Sequence, residues 1–143
     1  MKKLQFDEDG QALVEFSLIF YLYFAVLFIF IIHGSWLYNN FQADRASRHG
    51  AVYLGTTNST TKAETIAKDY LAKTQILSRT KSVKVYWNGT SPVCRVETEM
   101  TTFFPGIPKM LNPKNPLWER KIQIAKEAKA PGEHKYTNAK EYN

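Results

Sequence analysis

The sequence predicts an α+β protein: a long N-terminal helix, membrane-spanning in its first half, packed on a small antiparallel sheet with a second helix. Three observations predict it. Phe16 to Ile32 is an uncharged, almost wholly apolar run in which Ser17 is the one small polar group. Apolar residues recur at helical spacing after Thr60. From Val83 onward the period drops to two, with a turn signal at Asn88-Gly89.

The apolar run is long enough for a bilayer. A helix rises about 1.5 Å per residue. A hydrocarbon core asks for roughly 20 residues, range about 17–25. Leu13, Val14, Trp36 and Leu37 extend the run at its ends, and Trp36, Tyr38 and Phe41 form an aromatic cluster suited to a headgroup boundary. A cleaved secretory signal would have a shorter apolar region and a small-residue site after it. Ile32-His33-Gly34-Ser35-Trp36 lacks such a site. Lysine and arginine are balanced on the two sides, Lys2 and Lys3 against Arg45 and Arg48, so charge alone leaves the orientation open.

Helical character continues beyond the membrane run. Ala43, Ala46 and Gly50 lie at +3 and +4 spacing, a small-residue strip that lets another backbone approach closely. Its partner is either the chain's own globular part or another subunit. Gly55 to Thr60 reads as a loop by composition. A second helix is expected over roughly 62–78, with Ala63, Ile66, Ala67, Tyr70, Ile76 and Leu77 on one face. Thr60 or Thr61 would cap it, and Glu64 would sit near the positive end of its dipole.

The hairpin follows. Val83, Val85 and Trp87 alternate with Lys84, Tyr86 and Asn88. The returning strand is expected over 93–103, with Cys94, Val96, Thr98 and Met100 on one side. Phe104-Pro105-Gly106-Ile107-Pro108 ends it, and a proline-containing loop runs to Pro116. Over 117–128 a third strand competes with a helix. The shared parity of Trp118, Ile122 and Ile124 favours the strand. The organisation is then a leader over 1–10, the helix over 11–50, a small domain over 51–130 and a polar tail over 131–143.

Composition bounds the chemistry. One cysteine, Cys94, excludes an internal disulfide and a multi-cysteine zinc site, and suits a small buried hydrophobe on a strand. His33, His49 and His134 have no ligand spacing, and neither a phosphate-binding glycine loop nor a nucleophile elbow is present. No enzyme activity, metal or cofactor is implied. The net charge of +6 is spread along the chain, so a nucleic-acid partner is not expected.

The most informative stretch is Gly10-Gln11-Ala12-Leu13-Val14-Glu15-Phe16. An unpaired acid near mid-bilayer costs about 2.5–3.5 kcal/mol on insertion scales and less near an edge. Glu15 is therefore useful there only if a cation reaches it. Cleavage between Gly10 and Gln11 would create an ammonium one turn away, on this subunit or a neighbour.

That stretch resembles the processing motif of the Tad (tight adherence) branch of type IV pilins. There a glycine precedes the cut, and glutamate and an aromatic are fifth and sixth in the mature chain. Gln11 to Phe16, the aliphatic run and Gln42-Ala43-Asp44-Arg45-Ala46-Ser47-Arg48-His49-Gly50-Ala51 are similar to TadE-like pseudopilins. The resemblance covers about residues 7–55. It implies single-pass insertion in a bacterial inner membrane, leader in the cytoplasm and domain in the periplasm. It also implies a prepilin peptidase, other pilin or pseudopilin subunits, a membrane assembly platform and the lipid bilayer as partners. Gly10 and Gln11 would flank the cut; Glu15 and Phe16 would serve recognition and assembly. The domain after Gly50 points to a minor pilin. Tyr21-Leu22-Tyr23 stands where relatives carry proline, which leaves the helix unkinked. A membrane-tethered module binding envelope polymer or DNA through a basic face, and a tethered enzyme, are the competing classes.

Overall fold

The computed structural model describes residues 8–102, 114 and 120–131. Their order is α1 (Glu8–Thr57), α2 (Thr60–Thr74), β1 (Ser78–Asn88), β2 (Ser91–Thr101) and β3 (Lys121–Lys129). The class is α+β. The chain divides into two units, Met1–Gly34 and Ser35–Asn143.

In the first unit α1 is an unbroken helix with no proline. Its apolar side chains are exposed around the whole circumference, from Leu13 and Phe16 to Phe30. The stretch Gly10–Thr57 contains an 18-residue window apolar enough to cross a membrane, and only 6% of that window is buried in protein. A helix apolar on every side and uncovered by its own chain matches lipid as solvent.

In the second unit the three strands form an antiparallel meander in the order β1-β2-β3. Val83 pairs with Val96 and Val85 with Cys94; Thr98 pairs with Ile124 and Met100 with Ile122. These pairs bury one face of the sheet. The other face carries charge, with Arg95 bonded to Glu97 at 3.1 Å and Lys121 to Glu99 at 2.9 Å. Such alternation is how an antiparallel sheet faces a core on one side and water on the other. The hairpin loop is Gly89-Thr90, with Gly89 at φ +63°. Only the first loop residue adopts positive φ, as a glycine-led two-residue turn requires.

The second half of α1 buries Asn39, Gln42, Ala43, Ala46, Ser47, Ala51 and Leu54, an i, i+3, i+4, i+7 stripe. Three contacts set its course: Asn39 meets Met100, Gly50 meets Cys94, and Gly55 meets Pro92. Numbers rise along α1 as they fall along β2, so the helix lies antiparallel on the central strand. Trp36 is half-buried against this core and is not simply a headgroup residue.

Several boundaries differ from expectation. α1 starts at Glu8, not at Gln11, and continues past Gly50 and through the expected loop to Thr57. The glycines there do not break the helix; they admit the sheet. A Cβ on Gly50 would stand 2.6 Å from the Cys94 Sγ, and one on Gly55 3.2 Å from the Pro92 Cγ. Asn58, at φ 51°, ends α1, and its backbone N–H bonds to the Leu54 carbonyl.

α2 is also displaced. Its N-cap residue is Ser59, without a side-chain cap bond, and not Thr60 or Thr61. Glu64 lies beyond the first turn, where its carboxylate meets Lys68 and the Val85 backbone N–H. The helix stops at Thr74, so Ile76 and Leu77 are not on its face and are largely exposed; Ala63, Ala67 and Leu71 are the buried set. Residues 121–129 form a strand, as their parity predicts, with Ile122 and Ile124 buried. β2 runs Ser91–Thr101, not over 93–103, and Thr102 is already outside it. Phe104–Pro108, the loop to Pro116 save Lys114, Trp118 and the tail beyond Pro131 lie outside the described residues.

Candidate functional site

The candidate site has two parts, one in each unit. The first is the start of α1. Gly10 and Gln11 lie inside the helix, and a Cβ at Gly10 would meet nothing within 4 Å. Glycine costs a helix interior about 1 kcal/mol relative to alanine. The peptide bond after it therefore follows a residue that weakens the helix and crowds nothing. Gln11 Nε2 donates to Glu15 Oε1 at 3.0 Å, which puts the carboxylate one turn along on the side of residue 11. Ser17 Oγ donates to the Leu13 carbonyl at 2.8 Å, so the one hydroxyl in the apolar run is satisfied within the helix.

Phe16 begins a feature that the sequence reading missed. Phe16, Phe20, Phe24 and Phe28 stand at i, i+4 spacing, with successive ring centroids 6.2, 4.6 and 6.3 Å apart. Tyr23 meets Phe24 edge-on at 5.8 Å. The spacing is visible in the sequence once aromatics are counted separately from aliphatics.

The second part is the seam between the second half of α1 and the sheet. Ala43 and Ala46 are fully buried in the core cluster, and Gly50 rests against Cys94 and Ala67. Burial, with Glu64 as a lesser cause, pushes the Cys94 thiol up to about 12, so it stays neutral. Asn39 is 1% exposed. Its amide donates to the Ile76 carbonyl at 2.6 Å and to the Ser35 carbonyl at 2.9 Å, while its Oδ1 accepts the Ile76 N–H at 3.1 Å. Higher along α1, Gln42 Oε1 accepts the Tyr70 hydroxyl at 2.7 Å, and Tyr70 packs on His49. Asn58 Oδ1 accepts the Trp87 indole N–H at 3.0 Å. These polar ties join α1 to α2, to the α2–β1 connection and to β1; the sequence reading assigns no packing role to Asn39 or Gln42. The signal available was their place on the Ala43-Ala46-Gly50 stripe.

Among the described residues no three His, Cys, Asp or Glu side chains converge as a metal site. The junction and the small-residue strip fall together in one comparison with known proteins. Residues 10–52 match the TadE-like protein family. The TadE-like segment thus contains Gly10, Gln11, Glu15, Phe16, Ala43, Ala46 and Gly50, and ends inside α1. The match covers less than half of the 143-residue chain and shows what that segment is similar to. No curated protein and no solved structure matches the chain.

Proposed function

We propose that the chain is a minor pilin or pseudopilin of a Tad-type pilus. A prepilin peptidase cuts it between Gly10 and Gln11, and it then takes part in assembly through packing of its membrane helix. The observation that carries this reading is the TadE-like match over a helix whose first half is apolar on all sides and uncovered. Glu15 is the electrostatic element. In the uncut chain the Gln11 amide serves it; after the cut the α-ammonium of residue 11, on the same or a neighbouring subunit, takes that place. An ammonium–carboxylate pair in apolar surroundings is far stronger than in water, and it fixes the axial register between helices. Phe16 follows as the first ring of the aromatic row. The leader lies in the cytoplasm, the helix crosses the inner membrane once, and the sheet domain stands in the periplasm, where the assembly platform and other subunits meet it. Adhesion or secretion is the output of the assembled filament.

The test is the intact mass of the protein purified from pilus-bearing native cells. A chain beginning at Gln11 is expected. A chain still carrying Met1 in functional material overturns the reading.

A further inference from the structure

β1 is an edge strand: β2 pairs with one of its sides, and no strand pairs with the other among the described residues. Asn88 and Ser91 close the two-residue loop, so Asn88, Tyr86, Lys84 and Ser82 turn their backbone groups toward β2. Val83, Val85 and Trp87 turn theirs toward the open edge. The Val85 N–H does so visibly, reaching Glu64 Oε1 of α2 at 3.4 Å. Beside this edge runs an open groove of about 530 Å³ between α2 and β1, lined by Lys68 and Ala72 and by the 80–84 stretch of β1. A register shift between Thr80 and Ser82 marks the end of the groove-lining stretch.

Charge selects what such an edge can accept. Lys68, Lys81 and Lys84 line the groove; Glu64 is ion-paired with Lys68 at 3.8 Å, and Glu97 and Glu99 of β2 feel the charge of Lys81. Two copies of β1 laid edge to edge would bring lysine against lysine, a cross-strand pairing that is destabilising and that edge lysines commonly prevent. A strand bearing carboxylates would meet the opposite sign and, at Val83, backbone groups that face away from β2. We infer that the β1 edge and its groove form a docking site for an extended acidic segment of a partner protein, bound by strand addition. Backbone hydrogen bonds to Val83 give the attachment, and Lys68, Lys81 and Lys84 select carboxylate side chains. This site is independent of leader cleavage.

The full chain in zwitterionic nanodiscs tests it, with a fluorescent peptide alternating glutamate with valine or threonine as the probe. Saturable binding is expected, weakened about tenfold or more by Lys68→Glu with Lys84→Glu, a change confined to exposed side chains. The same peptide N-methylated at alternate residues keeps its charge but cannot pair as a strand, and should not bind. Equal binding of the N-methylated peptide, equal binding of a lysine-for-glutamate peptide, or no binding at all would overturn the inference. Dimers through β1 that exclude the peptide would do so as well.

Discussion

Asn39 holds both backbone groups of Ile76, 37 positions later in the chain: its amide donates to the Ile76 carbonyl at 2.6 Å and its Oδ1 accepts the Ile76 N–H at 3.1 Å. The side-chain amide imitates a neighbouring strand and takes both backbone groups at once. This is where α2 gives way to β1, so one side chain on α1 fixes the connection between the other two elements.

Replacing that amide should therefore loosen the domain. Asn39→Ala leaves the Ile76 groups without their partner and opens a gap beside Met100. A loss of about 1–3 kcal/mol follows from the orphaned polar groups. Denaturant unfolding of the chain in detergent reads it. A cost below about 0.5 kcal/mol would mean water replaces the amide without loss.

Leu77 pays for the same turn. Its φ of 56° is left-handed, which costs an ordinary residue roughly 1–2 kcal/mol. The Asn39 pair and the bond from Thr101 N–H to the Leu77 carbonyl hold it there. Its side chain is 43% exposed, so little packing is at stake. Leu77→Gly should leave stability unchanged or raise it by up to about 1 kcal/mol, whereas Leu71→Gly, at a fully buried position of α2, would lower it. Thermal unfolding of the two variants side by side checks the contrast.

The limits of the sequence reading lie at these same residues. Strand alternation in Val83–Trp87 and Cys94–Met100 is local, and it was legible because side-chain period and burial coincide. The end of α2 was not legible. Ile76 and Leu77 continue an apolar helical pattern, and the group that stops the helix sits on α1, far away in sequence. Gly55 read as a loop for a related reason. Composition cannot distinguish a glycine that bends a chain from one that lets Pro92 approach. The apolar run and the Gly10–Phe16 motif were legible because each is contiguous in the sequence.

Gly50 offers a test of that close approach. A methyl group there would lie 2.6 Å from the Cys94 Sγ and 3.2 Å from its Cβ, so something must shift. Overpacking of this kind costs about 1–3 kcal/mol, against roughly 1 kcal/mol of helix propensity gained. Gly50→Ala should be destabilising alone and distinctly less so beside Cys94→Ala. A double-mutant cycle measures the coupling, and additive effects would place the clash elsewhere.

Cys94 also gives the domain an alkaline limit. Burial raises its thiol from an ordinary value of 9.0 to about 12. Because the folded value lies above the unfolded one, the stability linked to the neutral thiol is complete below pH 9. It is lost progressively as pH rises toward about 12. Unfolding midpoints should fall over that window, and Cys94→Ala should flatten the fall. In the native state at pH 8, a maleimide should label the chain far more slowly than after unfolding.

Glu15 carries the functional prediction. Glu15→Gln keeps the size of the side chain and its ability to hydrogen-bond Gln11, and it removes the charge. Insertion should be undiminished or easier, because a neutral amide costs less than a carboxylate at the edge of the apolar run. If register between subunits depends on an ammonium finding this carboxylate, the variant should accumulate in the membrane at parental levels. It should be depleted from sheared pili, or leave pilus number reduced. Phe16→Ala separates charge from packing, since it spares Glu15 and removes the first ring of the row that stacks on Phe20 at 6.2 Å. Quantitative immunoblots of membrane and pilus fractions read both variants. Parental pilus levels for Glu15→Gln, with cleavage intact, would show that the charge pair plays no part in assembly.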